Sequence, residues 1–354
     1  MKKSLHDLPV SARYFVHPEP KAAPLCLKPV FLPFSGCSRR CFFCAQHLQS
    51  GCAPKPLSQV YSELEEWLIE AGRNGHRPVE LGFYGGTFTA LPQYWLNKFL
   101  NLAAWFKKQG LVQKVRASTR PDAALEADLS DLAARGLDLL ELGVQSFSSE
   151  VLDRLGRGYQ GRQAEQACRM VKAAGLGLAM HLMPGSPGMT EEIFEQDIEK
   201  AVEQRPDFMR LHPCLVLAGT ELEREFLAGR FLPWELSGTA RALSSALIRL
   251  WENRIRVIRV GLTAEDALLE AIVAGPWHPC LGLMARSLAL YRIIKAQAAE
   301  LPGQRPLRLR YPRRFGGEIW GHRRALVGLY ESVNLSPDNA GPWDEEEFSL
   351  WRVC

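Results

Sequence analysis

The sequence lacks any long uncharged hydrophobic run, and its other absences narrow the class of protein further. No stretch approaches the roughly 18 apolar residues that a membrane-spanning helix requires. Residues 1–7 lack the apolar run of a secretory signal peptide. The net charge of +4 is too small to demand a nucleic acid or a membrane surface as partner. We therefore expect a cytoplasmic protein that does not associate with membranes.

A disulfide framework is also missing, although the chain contains nine cysteines. An odd number of thiols spread over 354 residues argues for reduced side chains, some of them metal ligands. Three of them, Cys37, Cys41 and Cys44, lie within nine residues, and the aromatic Phe43 directly precedes the last. Thiolates at such short spacing suit an iron–sulfur cluster or zinc. Three protein ligands leave one metal position open for chemistry.

A structural zinc site is the competing interpretation of these thiols. Such sites usually show two pairs of ligands, and no second C-x-x-C pair is present in the sequence. His47 or Cys52 could nevertheless supply a fourth zinc ligand. The other cysteines share no ligand spacing, so most are expected to be ordinary thiols.

Apolar runs alternate with segments of helical periodicity over most of the chain. The runs predict strands near residues 29–34, 79–84, 113–119, 137–144, 176–183 and 208–217, with a further candidate at 255–262. The intervening segments predict helices, among them 92–108, 126–135, 161–174 and 190–204. This alternation predicts an α/β fold in which a parallel sheet, covered by helices, forms a complete or partly open barrel.

Three regions are expected along the chain. Residues 1–28 lack periodicity and predict an irregular lead-in, and residues 29–262 form the barrel. Residues 263–354 form a C-terminal extension, with helices near 263–273 and 281–299. Within it, residues 301–330 hold seven arginines against the single acid Glu318, so this segment is either a phosphate-facing patch or a solvated basic face.

Polar and glycine residues follow several of the predicted strands. Barrels of this kind carry their chemistry at the carboxyl ends of the strands. The candidates there, besides the cysteine stretch, are Gly85, Gly86, Thr87, Ser118, Arg120 and Gln145. Glycines at a strand end are also ordinary turn residues. Arg120 and Asp122 could equally form a surface ion pair and cap a helix.

Several of these segments, taken in order, resemble one family. The resemblance rests on residues 36–44, 82–89, 118–122, 141–146, 157–158, 182–188, 215–222 and 275–279. Together they resemble the radical S-adenosylmethionine (radical SAM) domain of the catalytic subunit of Elongator, over about residues 29–280. The resemblance implies a partial (β/α)6 TIM-like barrel with a small C-terminal extension.

The resemblance also implies cofactors and their ligands. Cys37, Cys41 and Cys44 would hold a [4Fe–4S] cluster whose fourth iron binds SAM. Residues Gly85 to Thr87 would bind the methionyl amino group. The further cofactor contacts implied are Phe43, Ser118, Arg120 and, near the ribose, Gln145.

The substrate is less constrained, because the chain departs from the family. Only about 75 residues follow the match, which is short for the acetyltransferase domain of Elongator-type proteins. Residues 313–318 only partly imitate an acyl-CoA-binding loop. His212 and Ala218 stand where the family commonly has tyrosine and a basic residue.

We expect a tRNA substrate, of the wobble-uridine type, bound through the arginines of residues 301–330, and an electron donor such as flavodoxin or ferredoxin. A small-molecule metabolite is the alternative substrate. A third possibility is a module that works only with a separate protein bringing the acyl group.

Overall fold

The computed structural model describes residues 12–21, 26–263 and 265–353. Its strands are β1 (Arg13–Phe15), β2 (Cys26–Phe31), β3 (Val79–Tyr84), β4 (Val112–Thr119), β5 (Leu139–Gln145), β6 (Gly177–Leu182), β7 (Phe208–Leu211), β8 (Val216–Leu217), β9 (Arg256–Val260), β10 (Ile272–Ala274), β11 (Leu307–Pro312), β12 (Ala340–Trp343) and β13 (Phe348–Arg352). Its α-helices are α1 (Gln46–Ser50), α2 (Leu57–Arg73), α3 (Gln93–Lys108), α4 (Pro121–Glu126), α5 (Leu129–Ala134), α6 (Ser149–Arg154), α7 (Gly161–Ala173), α8 (Glu191–Gln204), α9 (Glu221–Leu227), α10 (Leu236–Glu252), α11 (Asp266–Ala271), α12 (Leu281–Ala299), α13 (Gly316–Ile319) and α14 (Val327–Glu331). None of the described helices is both long enough and apolar enough to cross a membrane.

The main sheet contains seven parallel strands in the order β2-β3-β4-β5-β6-β7-β9. Strands β2 and β9 are its two edges, so the sheet is an open, partial barrel. Helices between successive strands cover it, as the alternating sequence pattern requires. The predicted α/β fold, a partial TIM-like barrel, is confirmed, and the candidate strand at 255–262 is present as β9.

Two predicted elements are interrupted in the structure. The predicted strand 208–217 ends at Leu211, and β8 instead pairs antiparallel with β10 in a separate two-stranded sheet. Pro213 lies in the gap, where it offers no backbone N–H for a sheet. The predicted helix 126–135 starts only at Leu129, because the Asp128 carboxylate accepts the amide of Asp131 at 2.9 Å and caps α5 there.

The chain divides into two compact units, each assembled from separated segments. One comprises Pro20–Thr239 and Ile255–Trp277 and contains the main sheet. The other comprises Met1–Glu19, Ala240–Arg254 and His278–Cys354. The division predicted from the sequence, into 1–28, 29–262 and 263–354, stays a prediction.

The second unit has its own sheet, in the order β1-β13-β11-β12. Strand β1 lies within the segment predicted to be irregular and pairs antiparallel with β13, so that prediction is wrong for Arg13–Phe15. The core of this unit includes Leu290 and Ile294 of α12 and Phe348 of β13, all fully buried. Burial of such side chains stabilises the unit by about 1.5–3 kcal/mol each.

Candidate active site

The cysteine loop, residues 32–45, lies directly on the segment that follows strand β3. The Phe34 amide donates to the carbonyl oxygen of Gly85 at 2.7 Å. The Thr87 amide donates in return to the carbonyl oxygen of Ser35 at 2.8 Å. These reciprocal hydrogen bonds fix the loop against the carboxyl end of β3.

Two glycines permit this close contact. Gly36 has φ +74°, and a Cβ there would lie 2.3 Å from the carbonyl oxygen of Thr87. A Cβ on Gly86 would lie 2.4 Å from the carbonyl oxygen of Ser35. The resemblance implies that Gly86 contributes to binding the methionyl amino group, and a glycine lets the backbone approach such a ligand closely. In the structure it also lets the backbone approach the cysteine loop itself.

The three thiols of the loop lie close enough together to influence one another electrostatically. Burial, together with the charges of the neighbouring Cys41 and Cys37 thiols, raises the pKa of the Cys44 thiol to about 12. Cys37 Sγ lies 3.2 Å from the hydroxyl of Thr87. The sequence spacing therefore brings the three sulfur atoms to the same end of the sheet, as predicted.

Two arginines that are remote in sequence reach the middle thiol. Arg157 Nη1 lies 3.1 Å and Arg120 Nη1 lies 3.3 Å from Cys41 Sγ. Both arginines are nearly fully buried, and Arg157 also donates to the carbonyl oxygen of Gly143. The two guanidinium groups thus place hydrogen-bond donors and positive charge beside this sulfur atom.

The thiols of the cysteine loop differ from the ligand set of a single metal ion. Among the described residues, no three His, Cys, Asp or Glu side chains form a site for a single metal ion. In an iron–sulfur cluster each thiolate binds a different iron, so its ligands stand farther apart than those of one ion. Three clustered thiols, two of them in contact with polar groups, fit such a cluster.

A single cavity of about 540 Å³ lies beside the loop. All ten site residues predicted from the sequence line it: Cys37, Cys41, Phe43, Cys44, Gly85, Gly86, Thr87, Ser118, Arg120 and Gln145. They come from the ends of four neighbouring strands, β2 to β5, because parallel strands present their carboxyl ends at one edge of the sheet. The structure thus brings the residues together, and their binding roles stay predictions.

For Arg120 the sequence left two interpretations, a cofactor contact and an ion pair with Asp122, and the structure shows features of both. Their side chains form a bidentate ion pair, with contacts of 3.0 and 2.8 Å. Arg120 is only 6% exposed, however, so the pair is not a surface feature. No side chain caps α4, which begins with Pro121 at its first turn. Asp122 therefore holds the guanidinium of Arg120 in place beside Cys41.

Two polar residues of the cavity are unusual, Ser118 in its hydrogen bonding and Gln145 in its backbone conformation. The Ser118 hydroxyl oxygen is buried and has no hydrogen-bond partner among the described residues. Gln145 ends β5 with φ +66°, a left-handed conformation that non-glycine residues seldom adopt. Such unpaired or strained groups are frequent at functional sites.

A polar network that the sequence patterns did not indicate is centred on Glu141, which is completely buried on β5. Its carboxylate accepts from the Tyr84 hydroxyl at 2.9 Å and contacts His181 Nε2 at 2.9 Å. Arg210 and Arg116 lie 3.2 and 3.3 Å from its oxygens. Charged residues inside otherwise apolar strands were the signal that could have revealed these positions.

The charges of the network are set by this pairing. Burial would raise the pKa of Glu141, but the hydrogen bond with His181 and the charge of Arg210 outweigh it and lower the pKa to about 2. Burial also lowers the pKa of His181, despite its contact with Glu141. Near neutral pH the network therefore contains an ionised Glu141, a neutral His181 and cationic arginines.

Comparison with known proteins gives the family. The family model "Radical SAM superfamily" matches residues 31–201, and the model "Radical_SAM C-terminal domain" matches residues 206–289. The chain is 33% identical to the tRNA uridine(34) acetyltransferase of Methanocaldococcus infernus over 227 residues, which cover 58% of this chain and 42% of that protein. It is 31% identical to Elongator complex protein 3 of Danio rerio over 242 residues, covering 61% and 41% of the two chains. The chain thus spans less than half the length of these relatives.

A solved structure shows the same fold. The archaeal Methanocaldococcus infernus Elp3 with an N-terminal deletion (1–46) superposes with a TM-score of 0.58, at 23% sequence identity. The superposition covers 78% of this chain and 64% of that one. Together, the two family models span the parallel sheet, the cysteine loop and the cavity-lining strand ends. The chain therefore belongs to the radical SAM superfamily and is an enzyme of that superfamily.

Proposed function

We propose that the chain binds one [4Fe–4S] cluster through Cys37, Cys41 and Cys44, and SAM at the fourth iron. The observation that carries this proposal is the contact of two buried guanidinium groups with the thiol of Cys41, within the cavity lined by the other predicted residues. None of the described cysteines forms a disulfide bond, which is typical of proteins in the cytoplasm, where we place this one.

The chemistry would come from the cofactor, since reductive cleavage of bound SAM supplies a 5′-deoxyadenosyl radical that abstracts hydrogen from a substrate. The chain's own residues would bind, orient and exclude water. Gly85 to Thr87 would receive the methionyl amino group, because their backbone faces the cysteine loop. Ser118 and Arg120 offer an unpaired hydroxyl and a buried cation. A protein such as flavodoxin or ferredoxin would deliver the electron.

The cluster is tested by anaerobic reconstitution of the full chain. We expect about four irons and four sulfides per chain, and loss of both when Cys37, Cys41 and Cys44 are all replaced by alanine. A variant with Cys26→Ala and Cys280→Ala is the matched control and should keep the cluster. Iron and sulfide retained by the triple variant, or zinc as the native metal, would contradict the proposal.

SAM binding and cleavage are tested on the same preparation. Addition of SAM should change the electron paramagnetic resonance spectrum of the reduced cluster, and turnover should release 5′-deoxyadenosine. We expect Thr87→Ala to weaken the spectral change, because Thr87 contacts both the cysteine loop and the cavity. A reduced, cluster-containing protein that produces no 5′-deoxyadenosine even with cell extract would count against the activity.

For the substrate we propose RNA, specifically a tRNA modified at a wobble uridine. The support is the similarity to a tRNA uridine(34) acetyltransferase and a set of exposed arginines, Arg305, Arg308, Arg313, Arg314, Arg323 and Arg324. The deciding measurement is mass spectrometry of tRNA nucleosides from a deletion strain. An unchanged nucleoside profile would favour the second candidate, a small metabolite, for which the cavity of about 540 Å³ is large enough.

A further inference from the structure

The cavity has a second side that the cofactor assignment does not use. The predicted cluster and SAM contacts follow strands β2 to β5, at one side of the sheet. Strands β6, β7 and β9, at the other side, contribute His181, Arg210, His212 and Arg259 to the same cavity. These four side chains are arginines and histidines, which can donate hydrogen bonds through their nitrogen atoms. Glu265 is the only acidic residue among the described residues that line the cavity.

Arg210 and Arg259 are direct neighbours across two strands. They are register partners in the parallel pair β7 and β9. His181 is the register partner of Arg210 on β6, so the three residues form one row across the sheet. Two cations placed side by side repel each other. Such an arrangement persists when other groups, or a ligand, neutralise the charges.

Among the described residues, an ion-pair partner neutralises Arg210 but not Arg259. Arg210 is neutralised by Glu141, at 3.2 Å, and also donates to the Tyr84 hydroxyl. Arg259 donates to the Thr263 hydroxyl at 2.6 Å and forms no ion pair with any described residue. Burial and the charge of Arg210 lower the pKa of Arg259, and they outweigh the opposing charges of Glu141 and Glu265. An anion at this position would relieve that repulsion.

His212 lies two residues beyond Arg210 and completes the set. Its Nε2 atom is buried and has no hydrogen-bond partner in the described part of the chain. Burial keeps the pKa of His212 well below its usual value, so the ring is neutral and one ring nitrogen can donate a hydrogen bond. A buried polar atom without a partner costs stability unless a ligand or water satisfies it.

We propose that Arg210, Arg259 and His212 form an oxyanion-binding subsite, which holds a carboxylate or phosphate group of the substrate in the part of the cavity lined by β7, the residues that follow it, and β9. The planar fork of a guanidinium group binds either anion with two hydrogen bonds. The proposal rests on the proposed radical SAM function, because it assigns the cofactor to the other side of the cavity. It adds that the substrate, or a co-substrate used with it, is an acid or a phosphate ester.

The subsite is tested by anion binding to the cluster-containing full chain, independently of turnover. Thermal unfolding is followed while malonate or inorganic phosphate replaces chloride at constant ionic strength. A ligand that binds the folded state raises the melting temperature in a saturable manner. We expect saturation with at least one of the two anions, and the anion that binds at lower concentration gives the chemical class of the substrate group.

Variants of two arginines on strand β9, Arg259 and Arg256, test whether the anion binds at Arg259. Arg259→Gln should raise the half-saturating anion concentration at least about tenfold, as expected for loss of a charge-assisted hydrogen bond. Arg256→Gln, on the same strand but outside the cavity, should leave it unchanged. Arg259→Lys keeps the charge without the fork and should fall between these. Equal anion responses in wild type and Arg259→Gln would overturn the proposal.

A repeat with saturating SAM separates the subsite from the cofactor. The anion response should persist, because SAM would occupy the other side of the cavity. If SAM abolishes it, Arg259 belongs to the cofactor's own carboxylate and the subsite is wrong. The spectrum of the reduced cluster with SAM, recorded on the same samples, reports separately whether the proposed radical SAM function holds.

Discussion

The guanidinium of Arg157 lies 3.1 Å from the sulfur of Cys41, although 116 residues separate them in the sequence. Arg157 is 4% exposed and also donates to the carbonyl oxygen of Gly143. Hydrogen bonds to cluster sulfurs stabilise the reduced, more negative state, which raises the reduction potential. This contact therefore links a residue outside the cysteine motif to the electronic properties of the site.

We expect Arg157→Gln to lower the reduction potential of the reconstituted cluster by roughly 50–100 mV, since 59 mV corresponds to a tenfold change for one electron. Potentiometric titration followed by electron paramagnetic resonance measures this. Arg154→Gln, which alters an exposed arginine paired with Glu150, is the control. An unchanged potential in folded Arg157→Gln protein would show that the contact does not tune the cluster.

Gly36→Ala should prevent assembly of the site. The added methyl group would meet the Thr87 carbonyl oxygen at 2.3 Å, in a backbone with φ +74°. Gly75→Ala is the matched control, because Gly75 has φ +64° but no atom within 4 Å of the added group. The control should cost roughly 1–2 kcal/mol of stability and keep full iron content. Equal iron content in both variants would contradict the role given to Gly36.

The ionisation of Glu141 should make stability depend on pH. The pKa of Glu141 is about 2 in the folded chain, below its ordinary value of 4.5. The ionised group therefore stabilises the fold above about pH 4.5, and this contribution is lost as the pH falls towards 2. At pH 7 we expect Glu141→Gln to reduce the free energy of unfolding by about 3 kcal/mol.

Denaturant unfolding at several pH values measures this difference, which should shrink between pH 4.5 and 2. Glu150→Gln, at an exposed ion pair, should change the free energy of unfolding by less than about 1 kcal/mol at every pH. A loss in Glu141→Gln that is the same at pH 3 and pH 7 would indicate a packing defect rather than a lost charge.

Arginines of the C-terminal region should contribute unequally to RNA binding. Arg313 pairs with Asp344 at 2.7 Å, and Arg314 pairs with Glu346. Arg323 and Arg324 are exposed and form no ion pair with a described residue. Replacing the latter two by glutamine should reduce the slope of log K against log salt by roughly 2.

Filter binding of total tRNA between about 50 and 200 mM salt tests this prediction. The pair Arg313→Gln and Arg314→Gln is the control and should reduce the slope less, because acids already neutralise these side chains in the free protein. Absence of binding by the wild type, or equal slopes for both pairs, would contradict an RNA contact through Arg323 and Arg324.

The sequence was sufficient to predict most of the local structure. Strand β3 and helix α12 have the predicted bounds, 79–84 and 281–299. A buried strand is recognised as a short apolar run, and residues that interrupt regular structure flank both elements. The ten predicted site residues share one cavity, since parallel strands place their carboxyl ends at one edge of a sheet. The end of β7 before Pro213 was not predicted, because apolar residues resume at Cys214 directly beyond the interruption.

By itself, then, the sequence determined the spacing of Cys37, Cys41 and Cys44 and the alternation that builds the sheet, because both depend on residues close together in the chain. Only the tertiary structure decided which charges meet. Arg157 reaches Cys41, and Arg313 reaches Asp344, through backbone folding over long sequence distances. Such contacts depend on strand order and register, which a local pattern does not contain.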